Sequence, residues 1–352
     1  MRILRTLDFR LTVLAVAAIL IALTLGAMRP DVFLSSLNIS SMLLQSSTIG
    51  LLGLAVAITM LSGGIDLSVN ATANLTAIVV AMFLTAVAPA QGSETAIVAV
   101  TALGLFVGLL VGLVCGLLNG FLIAVFGYSP ILATLGTMTF FAGVGTVLTG
   151  GATLFGVSAF SALGRGSLFG IPLPAIVFLV AALVLMLLLE KRRFGFTVYL
   201  FGASESAARY SGVSARRVIF GVYAVSGLLS ATAGLLNLGI TNSANVDFGT
   251  SYVLLAVLLA VLGGIAPSGG AGRIAGVVLA AFILQFLSTG LNLMFQSSSS
   301  NFLKDFAWGA TLLLVLAIGR VQEGSFARVF AKPREPSGGS QPSLSHGKEY
   351  LE

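Results

Sequence analysis

The sequence predicts an all-α fold, a polytopic membrane helix bundle of about ten transmembrane helices. Three observations predict it. The 352 residues are 57% hydrophobic and 9% charged, with a mean hydropathy of +1.06, whereas a soluble domain carries about 25% charged residues. Apolar runs recur at close to the ~20 residues that a spanning helix needs. Most basic residues sit at the ends of those runs, where Lys and Arg set topology, so the net charge of +6 is no nucleic-acid signal. The runs are continuous rather than alternating, which excludes a β-barrel.

The first span is Leu11–Met28, with Arg2, Arg5 and Arg10 holding its start inside. No small-residue cleavage site follows it, so it reads as an anchor helix rather than a signal peptide. Ile49–Leu61 is too short to cross on its own unless neighbouring residues are recruited, and runs into Ser62-Gly63-Gly64-Ile65-Asp66-Leu67-Ser68, after which Ala71–Ala88 is apolar again. Two spans joined by a glycine turn, or one broken helix, both fit. Thr95–Phe126 carries Gly104, Gly108, Gly112, Gly116 and Gly120 on one face, which lets another helix approach closely and makes this helix an expected central element of the bundle. Asn119, beside the last glycine, is placed to bond across that contact.

Ser129-Pro130 opens a span ending near Leu148, and Pro172 and Pro174 open one ending at Leu189. Val218–Leu238, the short Tyr252–Leu262, Ile274–Leu293 and Phe302–Ile318 complete the set. The loop Thr241–Thr250 is expected outside, both termini inside, and the polar tail 331–352 disordered. Gly263-Gly264-Ile265, with Ser268 after it, echoes Gly63-Gly64-Ile65 and Ser68. Short glycine-interrupted segments at matching places in two halves point to a transport path.

Between the spans of residues 1–330, the segment 190–217 is a polar island dense in Lys191, Arg192, Arg193, Arg209, Arg216 and Arg217. It is predicted to be cytoplasmic. Ser204 caps a short helix there, Glu205 suits its first turn, Ala207 and Ala208 propagate it and Gly212 stops it. Such a helix is either a connector or a docking element for a soluble partner.

No phosphate loop, HExxH, CxxC or Ser/His/Asp set is present; the single histidine is His346 in the tail, and Cys115 stands alone in an apolar run. Catalysis and metal binding by this chain are not expected. Asp66 is read first as a helix-capping carboxylate, with solute contact as the alternative. The candidate path residues are Asp66, Ser68, Asn70, Asn74, Asn119, Gln285 and Asn292, joined by Thr72, Thr76, Thr134, Thr137, Thr139 and Asn237. Neutral polar groups suit a hydroxylated solute and equally suit bonds between helices. With no coupling-ion site in the spans, the energy for transport must come from elsewhere. A stand-alone facilitator is the rival reading, and an intramembrane enzyme a remote one.

Ser62–Val69 resembles a hallmark of the ribose/xylose/galactose-type ABC transporter permeases, within the branched-chain amino-acid permease superfamily. Phe194-Gly195, Tyr199, Gly202, Ala207–Val213, Tyr223 and Ser226-Gly227 resemble that family's cytoplasmic coupling segment. Leu262-Gly263-Gly264, Gly269-Gly270, Gly272-Arg273-Ile274 and Gly290–Leu293 resemble its second half. The likeness runs from about Asn38 to Arg320 in the expected order. Asn70 stands where the family usually has glycine, and Ala266-Pro267 where a Thr/Ser-Leu pair is common. The resemblance implies a bundle of the vitamin-B12-importer type in a bacterial inner membrane, paired with a second permease copy. It also implies a cytoplasmic subunit that binds ATP and Mg, docking at Ser204, Glu205, Ala207, Ala208, Arg209 and Gly212, and a periplasmic sugar-binding protein. Permeases for the furanosyl signal autoinducer-2 share these motifs.

Overall fold

Helices dominate because a bilayer offers no partner for free backbone groups, and a helix satisfies its own. The computed structural model of the chain describes residues 2–87, 94–155 and 160–294, with positions 306, 308–311 and 313 beyond them. Among the described residues, eight helices are long and apolar enough to cross a membrane. They are α1 (Arg2–Met28), α3 (Ser36–Leu61), α4 (Val69–Val87), α5 (Glu94–Ala124), α6 (Pro130–Thr149), α8 (Leu173–Lys191), α11 (Ala215–Thr241) and α13 (Ile274–Met294). The chain is a multi-pass helical membrane bundle. A shorter helix, α12 (Tyr252–Leu262), has 11 residues, about 16 Å of rise, or roughly half of the ~30 Å hydrocarbon core. The expected span Phe302–Ile318, apart from a few positions, and the whole tail lie outside the described residues.

Short elements cap the bundle. On one side are α2 (Pro30–Phe33), α7 (Ser161–Arg165) and two small antiparallel pairs. Strand β1 (Leu154–Phe155) pairs with β4 (Ser243–Ala244), and β2 (Ser167–Leu168) with β3 (Ile171–Pro172). On the other side are α9 (Arg193–Ala203) and α10 (Glu205–Tyr210).

The glycine turn after Leu61 does join two spans, and the first is longer than its apolar run suggests. Helix α3 recruits Ser36–Thr48, opening at Ser35, whose hydroxyl accepts from Asn38 N. Ser46 and Ser47 return their hydroxyls to the Leu43 carbonyl, so a polar stretch can sit inside the bundle. Both short apolar runs end in the same way. Gly63 (φ +84°) and Gly264 (φ +87°) take the left-handed conformation. Gly64 N donates to Thr59 O and Ile265 N to Ala260 O, closing a Schellman cap at each end. The left-handed residue is the first glycine of one pair and the second of the other, so the echo is offset by one residue.

Helix α3 is enclosed more deeply than α5, although α5 forms the most extensive helix pairing, with α11. In the apolar window of α3 78% of residues are buried, against 22% in α5. The α5 glycines serve one face only. A Cβ at Gly112 would strike Ala231 and the Gly227 carbonyl, one at Gly116 the Tyr223 carbonyl, and one at Gly108 Leu235, so α5 lies against α11 backbone to backbone. Gly120 faces Phe220, while Gly104 faces Phe160. The opposite face of α5, with Leu103, Phe106 and Val114, is exposed.

Gly116→Ala is therefore expected to destabilise the detergent-solubilised chain by about 1–3 kcal/mol, read as a lower melting temperature. Gly136→Ala, at a helical glycine with nothing within 4 Å, is expected to leave it unchanged or raise it.

Candidate translocation and coupling site

The loop between α3 and α4 lies deep in the bundle. Ser226, which touches it, is eleven residues into α11, about 16 Å along that helix. Irregular backbone is tolerated at such depth only when protein groups satisfy it. Asp66 N donates to Thr59 Oγ1 (3.2 Å), Leu67 N to Thr134 Oγ1 (3.2 Å) and Ser68 N to Asp66 Oδ1 (2.9 Å). The Ile65 carbonyl accepts from the Thr134 hydroxyl at 3.1 Å.

Asp66, 2% exposed, is where the helices meet. Its Oδ1 also accepts from Ser68 Oγ at 2.7 Å, and its Oδ2 accepts from Ser226 Oγ on α11 at 2.8 Å. Ser68 Oγ in turn accepts from Asn119 Nδ2 on α5 at 2.8 Å, and Asn119 Oδ1 accepts from Thr137 Oγ1 on α6 at 2.6 Å. Every donor from Thr137 inward points toward the carboxyl. Asp66 thus holds the turn before α4, as a capping carboxylate would, and also fastens α11. Asn119 turns toward Ser68 and Thr137, not across the glycine contact.

Asn70 and Asn74 do different work. Asn70 Nδ2 donates to the Phe248 carbonyl (2.9 Å), and Asn74 Nδ2 to those of Val246 (2.8 Å) and Phe248 (2.9 Å). They fasten the segment between β4 and the half-length α12 to the first turns of α4. Gln285 lies apart, bonding Thr289 (3.3 Å) and Gln45 (3.4 Å), and Asn292 is half-buried on α13. Neither joins the Asp66 cluster.

Three backbones converge where the spans end. Gly270 N donates to Leu61 O at 2.9 Å. A Cβ at Gly202, near the end of α9, would strike both Leu61 O and Gly270 N, and one at Gly269 would meet Gly63. The two glycine loops therefore touch each other and α9. Tyr199 on α9 donates to Gly272 O at 2.9 Å. Burial pushes its phenol above the ordinary value, Glu190 adds to this and Arg273 opposes it, so Tyr199 stays a donor.

Helix α10 hangs from this junction. Ser204 Oγ accepts from Ala207 N at 3.3 Å, and Arg209 bonds Glu205 at 2.6 Å. Gly212 (φ +78°) ends the helix, with its N–H on Arg209 O and Val213 N–H on Ala208 O. Ala208 is buried, Ala207 is exposed, and Tyr210 is 94% exposed. A cavity of about 1140 Å³ opens between α10, the Gly63-Gly64 turn, the α5–α6 loop and the start of α11.

Among the described residues no three His, Cys, Asp or Glu side chains group as metal ligands. What the arrangement can do is mechanical. A displacement of α10 reaches both glycine loops through Gly202, and the Gly63-Gly64 turn leads directly to Asp66. Sequence reading passed over Ser226 as a link and Gly202 as a wedge; a hydroxyl or glycine in an apolar run carries no signal of its partner. Asp66→Ala would strand the Ser68 and Ser226 donors, at a cost of about 1–3 kcal/mol. Asp66→Asn, which keeps one carbonyl oxygen, is expected to lose less in a thermal melt of the solubilised chain.

Residues 38–316 match the family described as branched-chain amino acid transport system / permease component. The ribose import permease protein RbsC of Bacillus subtilis is 41% identical over 270 residues, covering 76% of this chain and 80% of that protein. The autoinducer 2 import system permease protein LsrD of Salmonella paratyphi A is 35% identical over 319 residues, covering 87% and 90%. LsrD of Yersinia pseudotuberculosis serotype O:3 is 32% identical over 294 residues, covering 81% and 84%. No solved structure matches the chain. A matched segment that takes in the Asp66 loop, the coupling segment and both glycine caps leaves one conclusion: the chain belongs to the permease-component family of branched-chain amino acid type transport systems.

Proposed function

We propose that the chain is the membrane subunit of an ATP-driven importer that carries a monosaccharide or similar small hydroxylated solute. It sits in a bacterial inner membrane with both termini cytoplasmic. A separate cytoplasmic subunit binds ATP and Mg and docks on α10. A periplasmic binding protein delivers the solute, and a second permease copy completes the path. One observation carries the reading. Helix α10 presents an exposed face, is capped at both ends, and is wedged through Gly202 against both glycine loops. A mere connector needs no such wedge. The interior supports a neutral solute, since it offers hydroxyls and amides while its one described carboxyl is already taken by three donors. Transport follows if the ATPase binds two states of the bundle with different affinity.

A furanosyl signal of the autoinducer-2 kind is the second reading. It is favoured by the length over which LsrD relatives match. Competition between ribose and autoinducer-2 for uptake separates the two.

Ala207→Trp and Tyr210→Ala alter the exposed face and leave the buried Ala208 in place. Each is expected to weaken co-purification of the host ATPase by about thirtyfold, the effect of losing one interface hot spot. Undiminished co-purification with both variants, or solute uptake by vesicles holding the chain alone, would sink the proposal.

A further inference from the structure

Two neighbouring features on the α8–α11 side lie apart from the Asp66 cluster and the glycine-loop junction. One is a pocket of about 340 Å³ where α9 and α11 begin, lined by Arg193, Phe194, Thr197, Ser214, Arg217 and Val218, with Gly212 and Val213 at the end of α10 on its edge. The other is an apolar cleft of about 480 Å³ between α8 and α11, reaching from Leu188 and Val225 to Ile176 and Thr232. Both helices rest on α3, which floors the space between them.

The two features are stacked. Arg217, Gly221, Val225, Leu228 and Thr232 follow at successive turns on one face of α11. At the junction, a Cβ on Gly221 would come within 2.6 Å of the Phe194 ring, so that ring lies between pocket and cleft. Arg193 and Arg217 are exposed, and among the described residues neither forms an ion pair. The Ser214 hydroxyl makes no cap bond. From Ile176 to Leu188 the cleft rises about 18 Å, close to the roughly 15 Å of one leaflet's hydrocarbon.

We propose that this crevice binds an acidic phospholipid of the leaflet facing the basic segment. Its phosphate lies between Arg193 and Arg217, and one acyl chain fills the cleft. Charge complementarity selects this occupant. The cleft is apolar along its length, and two unpaired cations stand at one end only, where α8 leaves the bundle and α11 enters it. A second protein helix is the poorer fit. Helices that pack in membranes favour small residues at the contact, and this cleft is lined by Val, Leu and Ile apart from Ala181 and Thr232.

The test is native mass spectrometry of the full chain released from nanodiscs with equal phosphatidylglycerol and phosphatidylcholine of matched chain length. Retained phosphatidylglycerol is expected to exceed phosphatidylcholine by about thirtyfold, the preference given by two arginines near one anionic headgroup. Arg193→Gln with Arg217→Gln, at exposed positions, should bring the ratio close to parity. Val184→Trp fills the cleft while sparing both arginines, and should lower retention of both lipids. Equal retention by the unaltered chain, or a preference that survives the double substitution, overturns the proposal. Displacement of phosphatidylglycerol by equimolar glycerol 3-phosphate also overturns it, by marking a free-phosphate site. A dimer that Val184→Trp dissociates without changing lipid retention would assign the cleft to a second copy instead.

Discussion

Irregular backbone buried at membrane depth must find every hydrogen-bond partner within the protein. In this chain that requirement falls on residues 65–68, where Thr59, Thr134 and Asp66 share it and Asp66 alone also ties the loop to α11. One carboxyl oxygen holds the turn that starts α4, and the other accepts from Ser226 on α11. The relay through Ser68, Asn119 and Thr137 adds α5 and α6 to the same point. Four helices thus keep their mutual positions through one side chain. The close α5–α11 contact allowed by the glycine stripe brings Ser226 and Asn119 into reach of the same loop.

That arrangement is what the proposed coupling role of α10 depends on. Helix α10 is short, and its Glu205–Arg209 pair is exposed, worth only about 0.3–0.5 kcal/mol, so little within it resists movement. Its attachment is firmer. Gly202 leaves no room for a side chain between Leu61 O and Gly270 N, and Tyr199 bonds Gly272 O. The second glycine loop leads to α13 and the first to Asp66. In the proposed mechanism a push on α10 is passed to both glycine loops through these contacts.

Much of the fold was legible in sequence because its signals are local. Apolar runs marked α4, α5, α6, α8, α11, α12 and α13, Ser129-Pro130 marked the start of α6, and Ser204 and Gly212 bounded α10 by cap chemistry alone. The misreadings share a cause. How far α3 extends before Ile49 was not legible, because Ser36–Thr48 is polar in composition, although several of its hydroxyls bond back to their own helix. Helix α9 was hidden in a basic island whose charges lie at its first residue and beyond its ends, while Gly195, Val198 and Phe201 are buried. The anchoring of the loop after β4 was not visible because Asn74, which holds it, is 172 and 174 residues earlier than its acceptors. The partner of a buried amide or hydroxyl is a property of the tertiary structure, and no window of sequence contains it.

The most direct measurement is the ratio of solute imported to ATP hydrolysed, taken on the reconstituted transporter carrying Gly202→Ala. If the junction transmits movement from α10 to the two glycine loops, the ATPase still docks and hydrolyses while the ratio falls well below that of the unaltered protein. An unchanged ratio would contradict the role assigned to the Leu61–Gly202–Gly270 contact, and with it the mechanical link between α10 and the Asp66 loop.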